Sequence, residues 1–341
     1  MQSIKQNAIK VTFSLLPIAI IVLFTVFIYG GRKSSAETVA PENILIFCLD
    51  ESGYNTDSLM LIGHTPDKNE LTLMQLPRDT YVDVGSDYHK LNHLYYRYYL
   101  ETKDNDKAAR MLADFLSDGF GIPIRHYCGF TLDGVAAMID ALGGVTLTID
   151  EAMQYTDEAQ GLLIDLKPGT HRLSGKEAVG FARYRQGYVT GDLGRLDAQK
   201  ILLSALLSEL KNADMIKLTR LIPTLFRGVL TDIPLAEIAE KGMLLSERKG
   251  SISVRFLTLP GEATRYYGDS GNWYFQLNKK STVTALSRYF SGDPAAFDQK
   301  QCFVGSSSPM QSIYNDTHME IKEYTEESAR SLTVMRSKRR T

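Results

Sequence analysis

Residues 44–50 read ILIFCLD, a continuous apolar run that ends in a carboxylate. Such a run is typical of a strand that is buried on both of its faces. An acidic residue at the carboxyl end of a buried strand lies where α/β sheets place their ligands. The stretch therefore predicts an α/β fold with this strand inside the sheet and with Asp50 at the edge where ligands bind.

A β-hairpin is predicted next along the chain. Apolar runs at 59–62 and 71–76 flank a turn-rich segment, so these two strands are expected to pair. Asp57 comes just before the first run, and Arg78 and Asp79 directly follow Pro77 after the second. Charged residues therefore occur at the strand ends, where they can serve a ligand.

Apolar periodicity and capping signals predict the other elements. They are helices at 107–116, 132–142, 174–181 and 192–210, a helical region that continues to 245, and strands at 145–149 and 253–259. Gly143 and Gly144 would end the second helix, and a capping box formed by Ser174 and Glu177 would begin the third. The tyrosine-rich segment 90–99 is compatible with a helix or with a channel wall.

Arginines are concentrated in residues 181–199, FARYRQGYVTGDLGRLDAQ, which contain Arg183, Arg185, Arg195 and Gln199. Each charge-assisted bond from a guanidinium to a phosphate oxygen is worth roughly 1.5–3 kcal/mol. Arg195 and Gln199 are four residues apart near the start of a helix, so their side chains project from the same face of that helix. The N-terminal end of a helix also favours anions. From this stretch alone, a diphosphate site and a solvated basic surface both remain open, and so does the relative direction of Arg183 and Arg185.

Composition and charge exclude several classes of protein. The 341-residue chain is 44% hydrophobic with a net charge of −2, so it gives no bulk electrostatic reason to bind nucleic acid. It contains no Walker-type glycine loop, no G-x-S-x-G elbow and no H-E-x-x-H motif. Any basic site must therefore be local.

An uncharged stretch near the start predicts a membrane anchor. Residues 11–29 would span about 28 Å as a helix, close to the thickness of the hydrocarbon core. We expect a short cytoplasmic segment at 1–10, one transmembrane helix at 11–30 and a linker at 31–42. A cleaved signal peptide is the rival, although the stretch exceeds the usual apolar length of such peptides. Basic residues on both sides leave the orientation open.

The cysteines and the C-terminal region carry weaker signals. Three cysteines lack metal-ligand spacing, and Cys48 and Cys128 are predicted to be buried thiols, with a disulfide between them left open. Residues 291–341 are polar and are predicted to form a tail with little structure of its own.

Two aspartates suggest a metal site. Asp50 and Asp57 lie at strand ends around one loop, and oxygen ligands of this kind suit a Mg²⁺ ion that also binds a diphosphate. Magnesium would bridge phosphate oxygens while arginines neutralise developing charge. Aspartates are also common in turns, so this hypothesis depends on the arginines lying nearby.

Taken together and in order, these blocks resemble a LytR-CpsA-Psr domain over roughly residues 43–290. The blocks are Asp50 with Asp57, LPRDT at 76–80, KLN at 90–92, DALGGV at 140–145, LSG at 173–175, RYR at 183–185, Arg195 with Gln199, and LPGE at 259–262. The resemblance implies a central mixed β-sheet flanked by helices and preceded by one N-terminal transmembrane helix.

The resemblance also implies an activity. Members of this family, mainly from Gram-positive bacteria, are membrane-anchored extracytoplasmic enzymes that transfer a glycopolymer, such as teichoic acid or capsular polysaccharide, from a polyprenyl-diphosphate lipid to peptidoglycan. Their active sites imply roles for the residues of this chain. Asp50 and Asp57 would hold Mg²⁺; Arg78, Asp79 and Arg195 would be catalytic, with Asp79 supporting Arg78; and Arg78, Lys90, Asn92, Arg183, Arg185, Arg195 and Gln199 would bind the diphosphate. The lipid would occupy an apolar pocket between sheet and helices.

The sequence departs from the family pattern at three positions. Asn55 and Ala198 stand where arginines are common, and Gln75 replaces a small residue. Two other functions therefore remain open: a non-catalytic, membrane-tethered binding or regulatory protein of the transcription-attenuator type, and a hydrolase that releases the diphosphate with water as acceptor.

Overall fold

The computed structural model describes residues 43–332, with gaps at 66–69, 86–88, 158–161, 186–187, 189–191, 214–216, 218–228, 235–252, 267–271 and 316–317. The predicted segments at 1–10, 11–30 and 31–42 lie outside these ranges, as does most of the helical region predicted to continue to 245. Within the described ranges, no helix has the length and apolar character needed to cross a bilayer.

The described part of the chain contains both strands and helices, and several strands follow one another directly. The strands are β1 Asn43–Leu49, β2 Thr56–Thr65, β3 Glu70–Leu76, β4 Ile124–Phe130, β5 Val145–Ile149, β6 Met153–Asp157, β7 Leu162–Leu166, β8 Gly169–Leu173, β9 Leu230–Thr231, β10 Ser253–Thr258, β11 Gly261–Tyr266, β12 Asn272–Leu277 and β13 Glu323–Thr325. The helices are α1 Leu94–Thr102, α2 Asn105–Phe120, α3 Leu132–Ala141, α4 Gly175–Arg183, α5 Asp192–Lys211, α6 Lys279–Tyr289, α7 Ser308–Asn315 and α8 Glu326–Arg330.

The central sheet is mixed and has seven strands, in the order β13-β10-β3-β2-β1-β4-β9. β1 pairs antiparallel with β2 and parallel with β4, and every residue of β1 is buried. β2 and β3 form the predicted antiparallel hairpin. The predicted α/β fold with a mixed sheet and flanking helices is therefore confirmed.

The two faces of the sheet pack against different helices. Alternate side chains of β1 point to opposite faces, as the pleat of a strand requires. Ile46 and Cys48 belong to the core that contains residues of α3, α4 and α5. Leu45 and Phe47 belong to the core that contains residues of α1, α2 and α6. The carboxyl end of β1 thus lies between two helical layers.

Two of the sequence blocks meet at the start of α4. Ser174 and Glu177 form the predicted capping box, and the backbone N–H of Gly175 donates to Asp140 Oδ1 at 2.7 Å. A Cβ atom on Gly175 would lie 1.9 Å from the carbonyl oxygen of Ala136. Only glycine allows α3 and α4 to approach this closely, and this contact fixes the helix whose last residue is Arg183.

The predicted tail with little structure at 291–341 is wrong for the part that the structure describes. Phe297 and Phe303 are buried in the core, and β13 pairs antiparallel with β10 at one edge of the main sheet. The error arose because a three-residue strand and a few scattered aromatics are too short a pattern to recognise among polar residues.

The cysteine prediction is confirmed. Cys48, Cys128 and Cys302 are buried and free. Burial raises the pKa of the Cys48 and Cys128 thiols far above the usual range, so both remain protonated at neutral pH.

Candidate functional site

A tight loop joins β1 to β2 and carries the first aspartate. The backbone N–H of Asp50 donates to the carbonyl of Asn55 at 2.8 Å. The Asp50 carboxylate accepts from Ser52 Oγ at 2.5 Å and from Asn55 Nδ2 at 2.9 Å. Burial by itself would raise the pKa of Asp50, but these hydrogen bonds outweigh it and lower the pKa below its usual value. Asp50 is therefore held in place as an anion.

Arginines from two distant parts of the chain meet at Asp57. Its Oδ1 accepts from Arg78 Nη1 at 2.5 Å and from Arg195 Nη1 at 3.1 Å. The Arg195 side chain, from the first turn of α5, is only 2% exposed. Burial would raise the pKa of Asp57, but Arg195 and Arg78 hold it below its usual value. The loop end of β2 thus gathers two guanidiniums around one ionised carboxylate.

The third arginine comes from the end of α4. Arg183 Nη1 lies 2.6 Å from Glu51 Oε1, and its side chain is 10% exposed. Its charge also contributes to lowering the pKa of Asp57. The helix ends here because Tyr184 adopts an extended conformation, and Arg185 beyond it is exposed. The structure therefore brings Arg183 to the cluster and leaves Arg185 on the surface.

The turn after β3 positions Arg78 through its backbone. Thr80 Oγ1 donates to the carbonyl of Pro77 at 2.6 Å, and the N–H of Asn92 donates to the carbonyl of Arg78 at 3.0 Å. Asp79 forms its ion pair with Lys90, at 3.2 Å. Lys90 also lies over the ring of Tyr274. Asp79, Lys90 and Asn92 are thus placed next to Arg78, with Asn92 acting through its main chain.

Gln199 lies one helical turn after Arg195, and residues of the sheet hold its side chain in place. Its Oε1 accepts from Ser58 Oγ and from Gln75 Nε2, each at 3.4 Å. Gln75 also donates to the carbonyl of Leu196 at 3.1 Å. Because both donors meet Oε1, the amide group of Gln199 is oriented with its Nε2 donor away from them.

An apolar cavity opens beside these charges. It lies between one face of the sheet and helices α3, α4 and α5, and its volume is about 590 Å³ when space open to solvent is counted. Asp57, Ser58, Arg183 and Gln199 contribute to its lining. The rest of the wall is mostly apolar and includes Met60, Leu132, Val135, Val179, Leu202 and Leu206. The cavity therefore combines charged and polar side chains with a mostly apolar wall.

The acidic pair fits a magnesium ion only with further ligands from a substrate. Among the described residues, no group of three or more His, Cys, Asp or Glu side chains is arranged to hold a metal ion. Asp50 directly follows β1, Asp57 is the second residue of β2, and the charges of both contribute to raising the pKa of the buried Cys48 thiol. Mg²⁺ commonly binds through one or two carboxylates together with substrate phosphates and water, which is what this donor pair offers.

Charge balance supports such a cation. The guanidiniums of Arg78 and Arg195 pair with Asp57 and that of Arg183 pairs with Glu51, while the ionised Asp50 directly precedes Glu51 in the chain. A diphosphate would therefore meet little net positive charge from these side chains. A divalent cation at the two aspartates would supply it.

The departures from the family pattern have structural consequences here. Asn55 bonds to Asp50, Gln75 bonds to Gln199, and Ala198 is completely buried.

The sequence analysis missed Glu51 and Ser58. Glu51 pairs with Arg183, and Ser58 donates to Gln199. Their positions directly after Asp50 and Asp57 were the available signal.

Comparisons with known proteins find one matching family model and several similar proteins. The model of the LytR_cpsA_psr family matches residues 28–289. The chain is 28% identical over 246 residues to the regulatory protein MsrR of Staphylococcus aureus (strain Mu50), covering 70% of each. It is 29% identical to the cell wall biosynthesis protein LcpA of Corynebacterium glutamicum, over 65% of this chain and 46% of LcpA.

A solved structure shows the same fold. TagT bound to LI-WTA superposes with a TM-score of 0.56 at 20% identity, covering 75% of this chain and 92% of that one. TagT is a protein of B. subtilis. At this identity, the likeness concerns the fold.

Proposed function

Because this chain belongs to the LytR-CpsA-Psr family, we propose that it is a phosphotransferase. It moves an anionic glycopolymer, such as a teichoic acid or capsular polysaccharide, from a polyprenyl-diphosphate carrier to peptidoglycan. The observation that carries the proposal is the meeting of Arg78, Arg183 and Arg195 around Asp57 at an apolar cavity. Guanidiniums bind the diphosphate and the cavity takes the isoprenoid chain. The names of the cell wall biosynthesis protein LcpA and of TagT bound to LI-WTA support the same class of substrate.

The reaction replaces a phosphoanhydride bond of the lipid carrier with a phosphodiester bond to peptidoglycan. A hydroxyl oxygen of peptidoglycan forms a bond to the phosphorus that carries the glycopolymer, and the bond from that phosphorus to the bridging oxygen breaks. The polyprenyl monophosphate leaves with the bridging oxygen, and the hydroxyl proton passes to a nearby base. Arg78 and Arg195 stabilise the negative charge that grows on the leaving phosphate.

Asp50 and Asp57 would hold Mg²⁺ together with the phosphate oxygens. The ion would neutralise phosphate charge that the balanced arginine cluster does not. The lowered pKa values of both aspartates keep them ionised at neutral pH, as metal ligands require. Arg183 and Gln199 then orient the diphosphate, and the ion pair of Lys90 with Asp79 adjoins Arg78 in the same turn.

The location of the protein follows from its substrates. Peptidoglycan lies outside the cell membrane, so the domain from residue 43 onward would face the extracytoplasmic side. The uncharged stretch at 11–30 would then be a single membrane anchor with residues 1–10 in the cytoplasm.

One other function has specific support, and a third would use the same site. The name of the regulatory protein MsrR, together with Asn55 and Ala198 in place of arginines, favours a non-catalytic binding or regulatory protein. Hydrolysis of the diphosphate requires the same arginine cluster but takes water as the acceptor.

One labelled substrate distinguishes the three functions. The full chain in detergent is incubated with Mg²⁺, peptidoglycan and a polyprenyl-diphosphate glycopolymer that carries a label on its sugar. Label joined to peptidoglycan supports transfer, label released with water as the acceptor supports hydrolysis, and bound but unchanged substrate supports the regulatory function.

Arg78→Gln should abolish transfer, whereas Arg172→Gln should not, because Arg172 pairs with Glu209 away from the cluster. Equal transfer by both variants would contradict the proposal.

A further inference from the structure

An aromatic pair lies beside the candidate diphosphate site. Tyr54 belongs to the loop between β1 and β2, and the residue is 46% exposed. Tyr96 belongs to α1, and the two ring centroids are 4.5 Å apart with an angle of 46° between the planes. Two tyrosines from separate elements therefore form one partly exposed aromatic surface next to Asp50.

The pair and the apolar cavity lie in opposite layers of the protein. Helix α1 packs on the sheet face of Phe47, whose ring centroid is 5.4 Å from that of the neighbouring Tyr95. The cavity lies on the other face, with Cys48 and Met60 in its wall. In a lipid-linked glycan, the diphosphate joins the hydrocarbon on one side to the first sugar on the other. With the hydrocarbon in the cavity and the diphosphate at the strand end, the sugar side of the ligand faces the aromatic pair.

The surface is also fixed before any ligand binds. The backbone N–H of Tyr54 donates to Asp50 Oδ1 at 3.3 Å, and the loop is closed by the bond between Asp50 and Asn55. In α1, Tyr98 and Tyr99 pack against the core, while Tyr96 meets Tyr54. A preorganised surface loses little conformational entropy on binding.

We propose that Tyr54 and Tyr96 form a subsite for a pyranose sugar adjoining the diphosphate. This inference rests on the proposed function and adds the position of its saccharide. The apolar C–H face of a pyranose ring stacks on an aromatic face, and the phenol hydroxyl of a tyrosine can bond to sugar hydroxyls. The sugar belongs either to the glycopolymer donor or to the peptidoglycan acceptor, since both present pyranose rings.

Binding of matched ligands tests the subsite. Affinities of the full chain in detergent are measured by calorimetry for farnesyl diphosphate, for farnesyl diphosphate bearing one N-acetylglucosamine, and for a soluble peptidoglycan disaccharide. In the wild type, the sugar is expected to tighten binding of the diphosphate about threefold to tenfold, or the disaccharide to bind by itself. Tyr54→Ala should remove that gain and leave farnesyl diphosphate binding unchanged, because alanine keeps the N–H that bonds to Asp50.

Two control variants separate the effect of the aromatic ring from that of other exposed side chains. Tyr54→Phe should keep most of the gain, and Leu163→Ala, which removes another exposed apolar side chain, should keep all of it. A gain confined to the lipid-linked sugar assigns the subsite to the donor, and a Tyr54-dependent affinity for the disaccharide assigns it to the acceptor. The inference is overturned if neither saccharide binds in a Tyr54-dependent way. If the wild type does not bind farnesyl diphosphate, that result counts against the proposed function. The affinity for the disaccharide then still tests the subsite.

Discussion

Asp57 holds the cationic cluster together. It is 14% exposed, it accepts from Arg78 and Arg195, and their charges lower its pKa despite its burial. A carboxyl group whose pKa is lower in the folded than in the unfolded state, where it is about 3.9, stabilises the fold above that pH. The stabilisation is lost as the pH falls from about 4 through the folded pKa.

Replacing this carboxylate should therefore be costly at neutral pH. We expect Asp57→Asn to lower the free energy of unfolding by about 3–5 kcal/mol at pH 7, because two guanidiniums, one of them buried, lose an ionised carboxylate as an ion-pair partner. The difference from the wild type should shrink below pH 4. Urea unfolding at several pH values measures both effects. Asp114→Asn, which breaks an exposed pair with Arg110, is the control and should cost less than about 1 kcal/mol. Equal costs for the two variants would contradict the role given to Asp57.

Gln75 is a positioning residue rather than a diphosphate ligand. It is completely buried and donates to Gln199 Oε1 and to the carbonyl of Leu196, so it fixes the amide of Gln199 from the sheet side. We expect Gln75→Leu to raise the Kd for farnesyl diphosphate about threefold to tenfold, in line with the loss of one oriented hydrogen bond. In a Gln199→Ala background the same substitution should have no further effect. Additive effects in this double-mutant cycle would show that Gln75 acts elsewhere.

At the level of elements, strong local signals were predictable from the sequence. The apolar run of β1, the hairpin of β2 and β3, the glycine end of α3 and the capping box of α4 all depend on neighbouring residues. Strands that depend on partners distant in the chain were not predictable from the sequence. β4 contains Arg125 and His126, and β13 has three residues and depends on β10, about seventy positions earlier. Such pairings require tertiary contacts that local patterns do not reveal.

The C-terminal segment 291–332 is expected to be part of the folded domain. Glu323 of β13 pairs with Arg255 of β10, and Glu326 pairs with Lys211 at the end of α5, the helix that carries Arg195. A chain ending at residue 290 should therefore unfold at a lower temperature or fail to fold. A chain ending at 332 keeps every described element and serves as the control.

Phe303→Ala tests the same element without truncation. Phe303 is completely buried, and its ring stacks on Phe120 with centroids 5.0 Å apart. The substitution should lower the free energy of unfolding by about 3–5 kcal/mol. A chain of 290 residues as stable as the full chain, together with an unaffected Phe303→Ala variant, would show that the segment is dispensable.

At the scale of the whole molecule, the site combines charges at a sheet edge with a cavity between layers. The residue types of the cluster were predictable, because arginines and aspartates stood out in the sequence. The ion pairs and hydrogen bonds within the cluster were not predictable from the sequence. Glu51 and Ser58 became partners only when α4 and α5 packed against the sheet, and the cavity arises from three helices that no single stretch specifies.

Filling the cavity should affect long isoprenoids selectively. Val179 of α4 lies in the cavity wall one helical turn before Arg183. Val179→Phe should weaken binding of decaprenyl phosphate at least about tenfold, because the larger ring occupies space needed by the chain. Binding of inorganic diphosphate should change little. Equilibrium binding of the two ligands, with Val179→Ala as the control, measures the difference. A uniform loss for both ligands would place the isoprenoid elsewhere.

A crystal structure of the protein with a polyprenyl diphosphate and Mg²⁺ tests the central claim most directly. The account predicts phosphate oxygens about 3 Å from the guanidiniums of Arg78, Arg183 and Arg195, with the hydrocarbon chain between the sheet and α3, α4 and α5. Diphosphate bound away from these three arginines, or a chain lying outside the cavity, would contradict it.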